Sequence, residues 1–226
     1  MLIVAAENDN EIDKRIQNII GNVGLATEAK NLVEQLAPVA AGLDTLQSDT
    51  ATIADACNVW LSLLDNDKLQ VYHEKVLKRS KQALTPEHFL AYLLHPRYKG
   101  EKLNADQLEQ AHELVMEQDP DFMADVMAFN AQERPYLKTM FVPSAINVAG
   151  NIWWKSVSKT CHGVNPEFCK LAMQLLSFPA SSASIERIFS NFGLVETKLR
   201  NRLGLGTAAK LVSCYRHLRG AIELDW

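Results

Sequence analysis

Hydrophobic positions along this chain recur at helical spacing, punctuated by proline, glycine and asparagine. Ile12, Ile16, Ile19 and Ile20 form one stripe, which Gly21 and Gly24 end. Leu25, Ala29, Leu32, Val33 and Leu36 form a second. Pro38 breaks or kinks it, because proline lacks an N–H and crowds the preceding turn. Ser48, Asp49 and Thr50 offer caps to a third helix, with Ile53, Ala56, Cys57, Trp60 and Leu64 on one face. Thr85-Pro86 starts a short helix through Phe89, Leu90, Leu93 and Leu94 that stops near His95-Pro96. Asn104 opens another through Leu108, Ala111, Leu114 and Val115, and Asp119-Pro120 opens the next through Phe122, Val126 and Phe129. Periodicity lapses from Pro135 to Gly150, which predicts a loop, and Trp153-Trp154 begin a short segment beyond it. Asn165-Pro166 starts a helix with Phe168, Leu171, Ala172 and Leu175. Only Leu175 to Phe178, LLSF, has the look of a strand.

Composition narrows the function more than the fold. The 226 residues suffice for one large domain or two small ones, and no apolar run approaches the length of a membrane helix. MLIVAA is too short, and lacks a basic flank, for a signal peptide. A net charge of −4 argues against a general nucleic-acid polycation, without excluding a local patch. Cys57, Cys161, Cys169 and Cys214 have no framework spacing, which predicts a reduced compartment. Cys161, His162 and Cys169, or Cys214 and His217, could be drawn as zinc ligands. Their spacing matches no common finger, and ordinary buried thiols are the simpler reading.

One stretch asks for more than a helical core. FPASSASIERIFSNFG, Phe178 to Gly193, sets a proline before small hydroxyl residues, then a Glu-Arg pair, then aromatics at helical spacing. Pro179 ends the preceding element. Ser181 or Ser182 can cap a helix whose apolar face is Ile185, Ile188, Phe189 and Phe192. Glu186 then falls near the first turn, where the helix dipole favours a negative charge, and needs no catalytic role to explain it. Farther on, Lys198, Arg200 and Arg202 form a basic cluster punctuated by Gly204 and Gly206. A solvated face is favoured there over a phosphate-binding strip. A terminal helix carries Leu211, Val212, Tyr215 and Leu218 on one side and Lys210, Arg216 and Arg219 on the other.

FPASSASIERIFSNFG, followed by KLRNRLG and AAKLVSCYRHLR, resembles the C-terminal region of hAT-superfamily transposases. LLHPRYKG, Leu93 to Gly100, is similar to a family element that usually has Asp at the position of His95, and Trp153-Trp154 to the tryptophan segment before the last catalytic motif. The resemblance runs from about Ala26 to Arg219. It implies a helical insertion within an RNase H-like catalytic domain, with LLSF as the last strand and Glu186 as the third carboxylate of an Asp-Asp-Glu triad. It also implies a C-terminal protein-dimerisation segment and a nuclear location.

The expected architecture is therefore mainly α: an extension over 1–25, a bundle-like insertion region over 26–174, and a dimerisation-like region over 175–226. The last would be an RNase H-like remnant of one strand and two helices. The two catalytic aspartates of the family belong to strands upstream of the insertion, and this sequence begins too late to hold them. Glu186 is thus expected to be a carboxylate without partners, in a truncated or domesticated protein that is not an enzyme. A preceding zinc-finger module and the Thr-Arg-Trp element are expected to be absent too, and no base-stacking role is assigned to Trp60, Trp153 or Trp154. The expected activity is homodimerisation through Ile188, Phe189, Phe192, Leu211, Tyr215 and Leu218, with DNA a further partner through Lys198, Arg200 and Arg202. No cofactor, metal, membrane or small-molecule substrate is expected. The alternatives are a nuclease fragment that needs its aspartates supplied, and a weak DNA-binding protein.

Overall fold

The computed structural model describes residues 22–183, Glu186, Arg187, Lys210, Ser213 and Cys214. The stripe through Ile12, Ile16, Ile19 and Ile20 lies outside them. The described residues form helices α1 (Val23–Leu46), α2 (Ile53–Leu64), α3 (His73–Ala83), α4 (Pro86–Leu94) and α5 (Ala105–Gln118). Then come α6 (Phe122–Ala131), α7 (Pro143–Ile146), α8 (Gly150–Thr160) and α9 (Pro166–Leu175), with single 3-10 turns at Asp67–Tyr72 and Lys138–Phe141.

Side-chain caps fix the starts of α1, α5 and α9. Asn104 Oδ1 accepts from the Gln107 N–H at 2.9 Å, and Gln107 Oε1 accepts from the Asn104 N–H at 3.1 Å, so each satisfies a donor the helix leaves open. Asn165 accepts from the Glu167 N–H ahead of Pro166. For α2 the cap is Thr52 rather than Ser48, Asp49 or Thr50. Asp55 Oδ2 accepts from both the Thr52 N–H at 2.8 Å and the Thr52 hydroxyl at 2.9 Å. Ser48, Asp49 and Thr50 are followed three residues on by Ala51, Thr52 and Ile53, none of them a carboxylate.

The core is built around α4. Every residue from Phe89 to Leu94 is buried, so this stretch is covered on all sides and is enclosed by α2, α5 and α9. An aromatic cluster extends the core. Phe129 meets Trp153 and Trp154 with ring centroids 5.6 and 5.2 Å apart, and Trp154 meets Phe168 edge-on at 5.4 Å. Both indoles are buried and hydrogen-bonded, Trp154 Nε1 to the Leu94 carbonyl and Trp153 Nε1 to the Met140 carbonyl, each at 2.8 Å.

Several expectations are corrected. Of the break or kink expected at Pro38, the break does not occur: Pro38 lies inside α1. The carbonyl deprived of a partner belongs to Glu34, an exposed residue, so water can satisfy it. Gly24 sits within the first turn of α1 rather than closing a helix. The 135–150 stretch holds the 3-10 turn and α7 instead of a plain loop. LLSF is not a strand: Leu175 ends α9, and the Leu176, Ser177 and Phe178 N–H groups bond back to Ala172, Gln174 and Leu175. Extended pairing begins later, as a single antiparallel bridge between Thr52 and Pro179, and proline cannot donate to a longer ladder. The described residues are thus mainly helical and contain no strand.

The LLHPRYKG element is a tight turn joining α4 to α5. The His95 carbonyl accepts from the Tyr98 and Lys99 N–H groups, and His95 Nδ1 accepts from the Arg97 N–H at 3.2 Å. Aspartate, common here in the resembling family, makes the same contact two residues on, so histidine preserves the acceptor without the charge. Gly100 closes the turn at φ +73, where a side chain would be strained and would meet Leu93 Cδ1 at 2.8 Å.

Burial holds the His95 imidazole neutral, pushing its pKa down from 6.5 to about 4; nearby Asp55 opposes this and Arg97 adds to it. Between these values the unfolded chain binds a proton that the folded chain refuses, so stability falls as pH drops from 6.5 toward 4. His95 should contribute roughly 2–3 kcal/mol to that loss. Burial also pushes His88 and His112 down, which adds to the slope. His95→Asn keeps an acceptor for the Arg97 N–H. Urea melts at pH 7 and pH 4.5 should show a smaller acid loss for this variant than for the wild type.

Candidate functional site

The chain returns to its own beginning between Phe178 and Arg187. The Ile53 N–H donates to the Phe178 carbonyl at 3.1 Å and the Ala180 N–H to the Ala51 carbonyl at 2.9 Å, on either side of the Thr52–Pro179 bridge. Ser181 Oγ donates to the Leu46 carbonyl at 3.0 Å, one of those the C-terminus of α1 leaves open, and accepts from the Ala183 N–H at 3.3 Å. Arg187 Nη2 bonds the Gln47 carbonyl at 2.5 Å and Asp49 Oδ1 at 2.6 Å. Arg187 and Asp49 are half-exposed, so this pair positions the segment more than it stabilises it.

Glu186 is helical and exposed. Its N–H donates to the Ser182 carbonyl at 2.9 Å, and its Oε1 accepts from Ser182 Oγ at 2.6 Å. It therefore lies close to its helix start, with a serine as its hydrogen-bond partner. Among the described residues no group of three His, Cys, Asp or Glu side chains is placed to hold a metal ion.

A cleft of about 580 Å³ opens beside this junction, lined among others by Asp55, His95, Arg97, Asn147, Asn151 and Ser177. Its carboxylate is already engaged: Asp55 takes two hydrogen bonds from Thr52 and one from the Tyr98 hydroxyl at 2.6 Å. The His95 ring stacks on Tyr98 at 4.4 Å and accepts a backbone N–H. These groups hold the α2 and α4 ends together, and none is set up as a general base. The cysteines are equally quiet. Burial pushes Cys57 up to about 12 and Cys169 to about 11, so neither is a thiolate near neutrality. Cys161 is also buried, and Cys214 is exposed.

Ile188, Phe189, Phe192, Leu211, Tyr215 and Leu218 lie outside the described residues, as do Lys198, Arg200 and Arg202. Lys210, Ser213 and Cys214 are helical and exposed, at positions where the sequence predicts the terminal helix. Sequence reasoning missed the docking of Arg187 onto Gln47 and Asp49. No spacing rule links positions so far apart, and the only local signal was an arginine beside Glu186 on the polar side of its helix. Trp153 and Trp154, paired in the sequence, are core.

No curated protein matches the chain. A family model does: the hAT family C-terminal dimerisation region, over residues 135–218. The match takes in the 3-10 turn at Lys138–Phe141, α7, α8, α9 and the segment docked on 46–53. The match alone ties the chain to a known family: over residues 135–218 it carries an hAT-family, transposase-derived C-terminal region.

Proposed function

We propose that this chain is a catalytically incomplete, hAT-derived interaction module that forms a homodimer through residues 185–218. The family match over 135–218 carries this reading. Two features support it. The docked 178–187 segment fixes where the following apolar residues leave the helical body. In the sequence Ile188, Phe189, Phe192, Leu211, Tyr215 and Leu218 recur at helical spacing, an apolar pattern that association would cover. Self-association through an isologous patch is the commonest way for a soluble protein to cover such faces. By the same kinship we propose the nucleus as its compartment. No helix among the described residues is long and apolar enough to cross a membrane.

Glu186 supports the non-catalytic side of the proposal. Phosphoryl transfer by two metal ions needs them held about 3.5–4 Å apart by several carboxylates. Glu186 instead accepts a serine hydroxyl at a helix start.

In solution the 226-residue polypeptide should be a dimer in the micromolar range by light scattering after size exclusion. Phe192→Ser and Leu211→Ser should each weaken the dimer by tenfold or more, since burying such a side chain is worth roughly 1.5–3 kcal/mol. A clean monomer, unchanged by either substitution, would overturn the reading.

With Mg²⁺ or Mn²⁺ the same polypeptide should neither nick nor join DNA. Glu186→Gln should change stability in urea by less than about 1 kcal/mol, the scale of a charge at a helix start. Metal-dependent cleavage that disappears in Glu186→Gln would show a working active site.

A further inference from the structure

Helix α1 carries an apolar strip that the other described residues leave open. Leu25, Leu32, Leu36 and Leu43 are 47%, 51%, 53% and 54% exposed. The body of the protein meets α1 on an adjacent face. There Gly42 lies so close to α2 that a Cβ would meet Val59 Cγ1 at 2.8 Å, and Gln35 accepts from the Tyr72 hydroxyl. Adding Ala29 and Val39 gives positions 25, 29, 32, 36, 39 and 43. Their spacing alternates between four and three residues, which is the seam of a helix pair. Lys30, Glu34 and Asp44 fall off this seam. The seam is about 27 Å long at 1.5 Å per residue.

The order of side chains in the seam selects the partner. Leu25 and Leu43, Ala29 and Val39, and Leu32 and Leu36 are placed symmetrically about residue 34. Two copies laid antiparallel therefore match leucine to leucine and set small Ala29 against Val39. A parallel pair would face alanine with alanine and leave a void. The strip also adjoins the family dimerisation region. Its C-terminal end is the turn to which Ser181 and Arg187 bond, through the Leu46 and Gln47 carbonyls and Asp49.

We infer that α1 packs antiparallel against α1 of a second copy of this chain, extending the homodimer interface beyond the matched region. The inference rests on the homodimer reading but adds a contact that the reading does not require.

Paired cysteines test it in the full chain, with Cys214→Ser removing the exposed native thiol. Leu25→Cys combined with Leu43→Cys should give covalent dimers under mild oxidation, because each sulfur would face its counterpart across the dyad. Either substitution alone should give almost none, as like positions lie at opposite ends of an antiparallel seam. Leu32→Glu with Leu36→Glu should raise the dimer dissociation constant at least tenfold in sedimentation or light scattering. Helicity by circular dichroism should stay unchanged, since both positions are exposed.

A dimer that neither cross-links nor responds to the glutamates would overturn the inference and leave the homodimer reading standing. Efficient cross-linking of a single variant would mean a parallel seam and overturn it too. A wild-type monomer destabilised by the glutamates would mean that the strip is covered within the same chain, and both readings would fall.

Discussion

A helical stretch buried on every side can exist in water only inside a shell of other elements, and α4 from Phe89 onward is such a stretch. Phe89 to Leu94 are all buried, so the surrounding chain must supply α2, α5 and α9 as walls and still satisfy the polar groups at the helix end. Trp154 does the last from α8, donating its indole N–H to the Leu94 carbonyl while its rings fill the space beside Phe129 and Phe168. The LLHPRYKG turn follows the same logic: leaving a buried helix, the chain uses His95 and its carbonyl to occupy three successive N–H groups. Removing α4 would leave those walls facing one another across a gap.

Helix starts were legible where one side chain accounts for them. Thr85-Pro86, Asn104 and Asn165-Pro166 each announce a helix that the structure contains, because a cap acts over three residues and needs nothing distant. Helix α3 was not legible. HEKVLKRSKQA offers only Val76, Leu77 and Ala83 as apolar residues, and the residue it buries is Ser80, so no buried apolar stripe marks it. The cap of α2 was placed too early because hydroxyl residues cluster at 48–50, whereas Asp55 decides the matter from inside the helix. The LLSF stretch misled for a simple reason: a short, mostly apolar run at the end of a helix cannot be told from a short strand by periodicity.

The candidate site was legible in its local half only. Ser182 and Glu186 sit at a helix start, as their order in the chain implies. What fixes that start in space is the long-range half, where Arg187, Ser181 and the Thr52–Pro179 bridge tie it to residues 46–53. Side chains that recognise open carbonyls at another helix end leave no periodic trace in the sequence, because almost any polar residue can do it. The dimerisation region is thus anchored by backbone groups of the helix that precedes the whole core.

That anchoring sets an order of events during synthesis. The 46–53 turn emerges from the ribosome early, but its bonding partners near residue 180 emerge only after α2 to α9 have been made. Closing so long a loop has an entropic cost that is recovered most readily once the intervening helices have condensed. Among the described residues the junction is therefore a late contact, and a nascent chain would lack the docking of 178–183 and Arg187 onto 46–53. The proposed association would then wait until each chain is complete, which limits entanglement between neighbouring chains on one message.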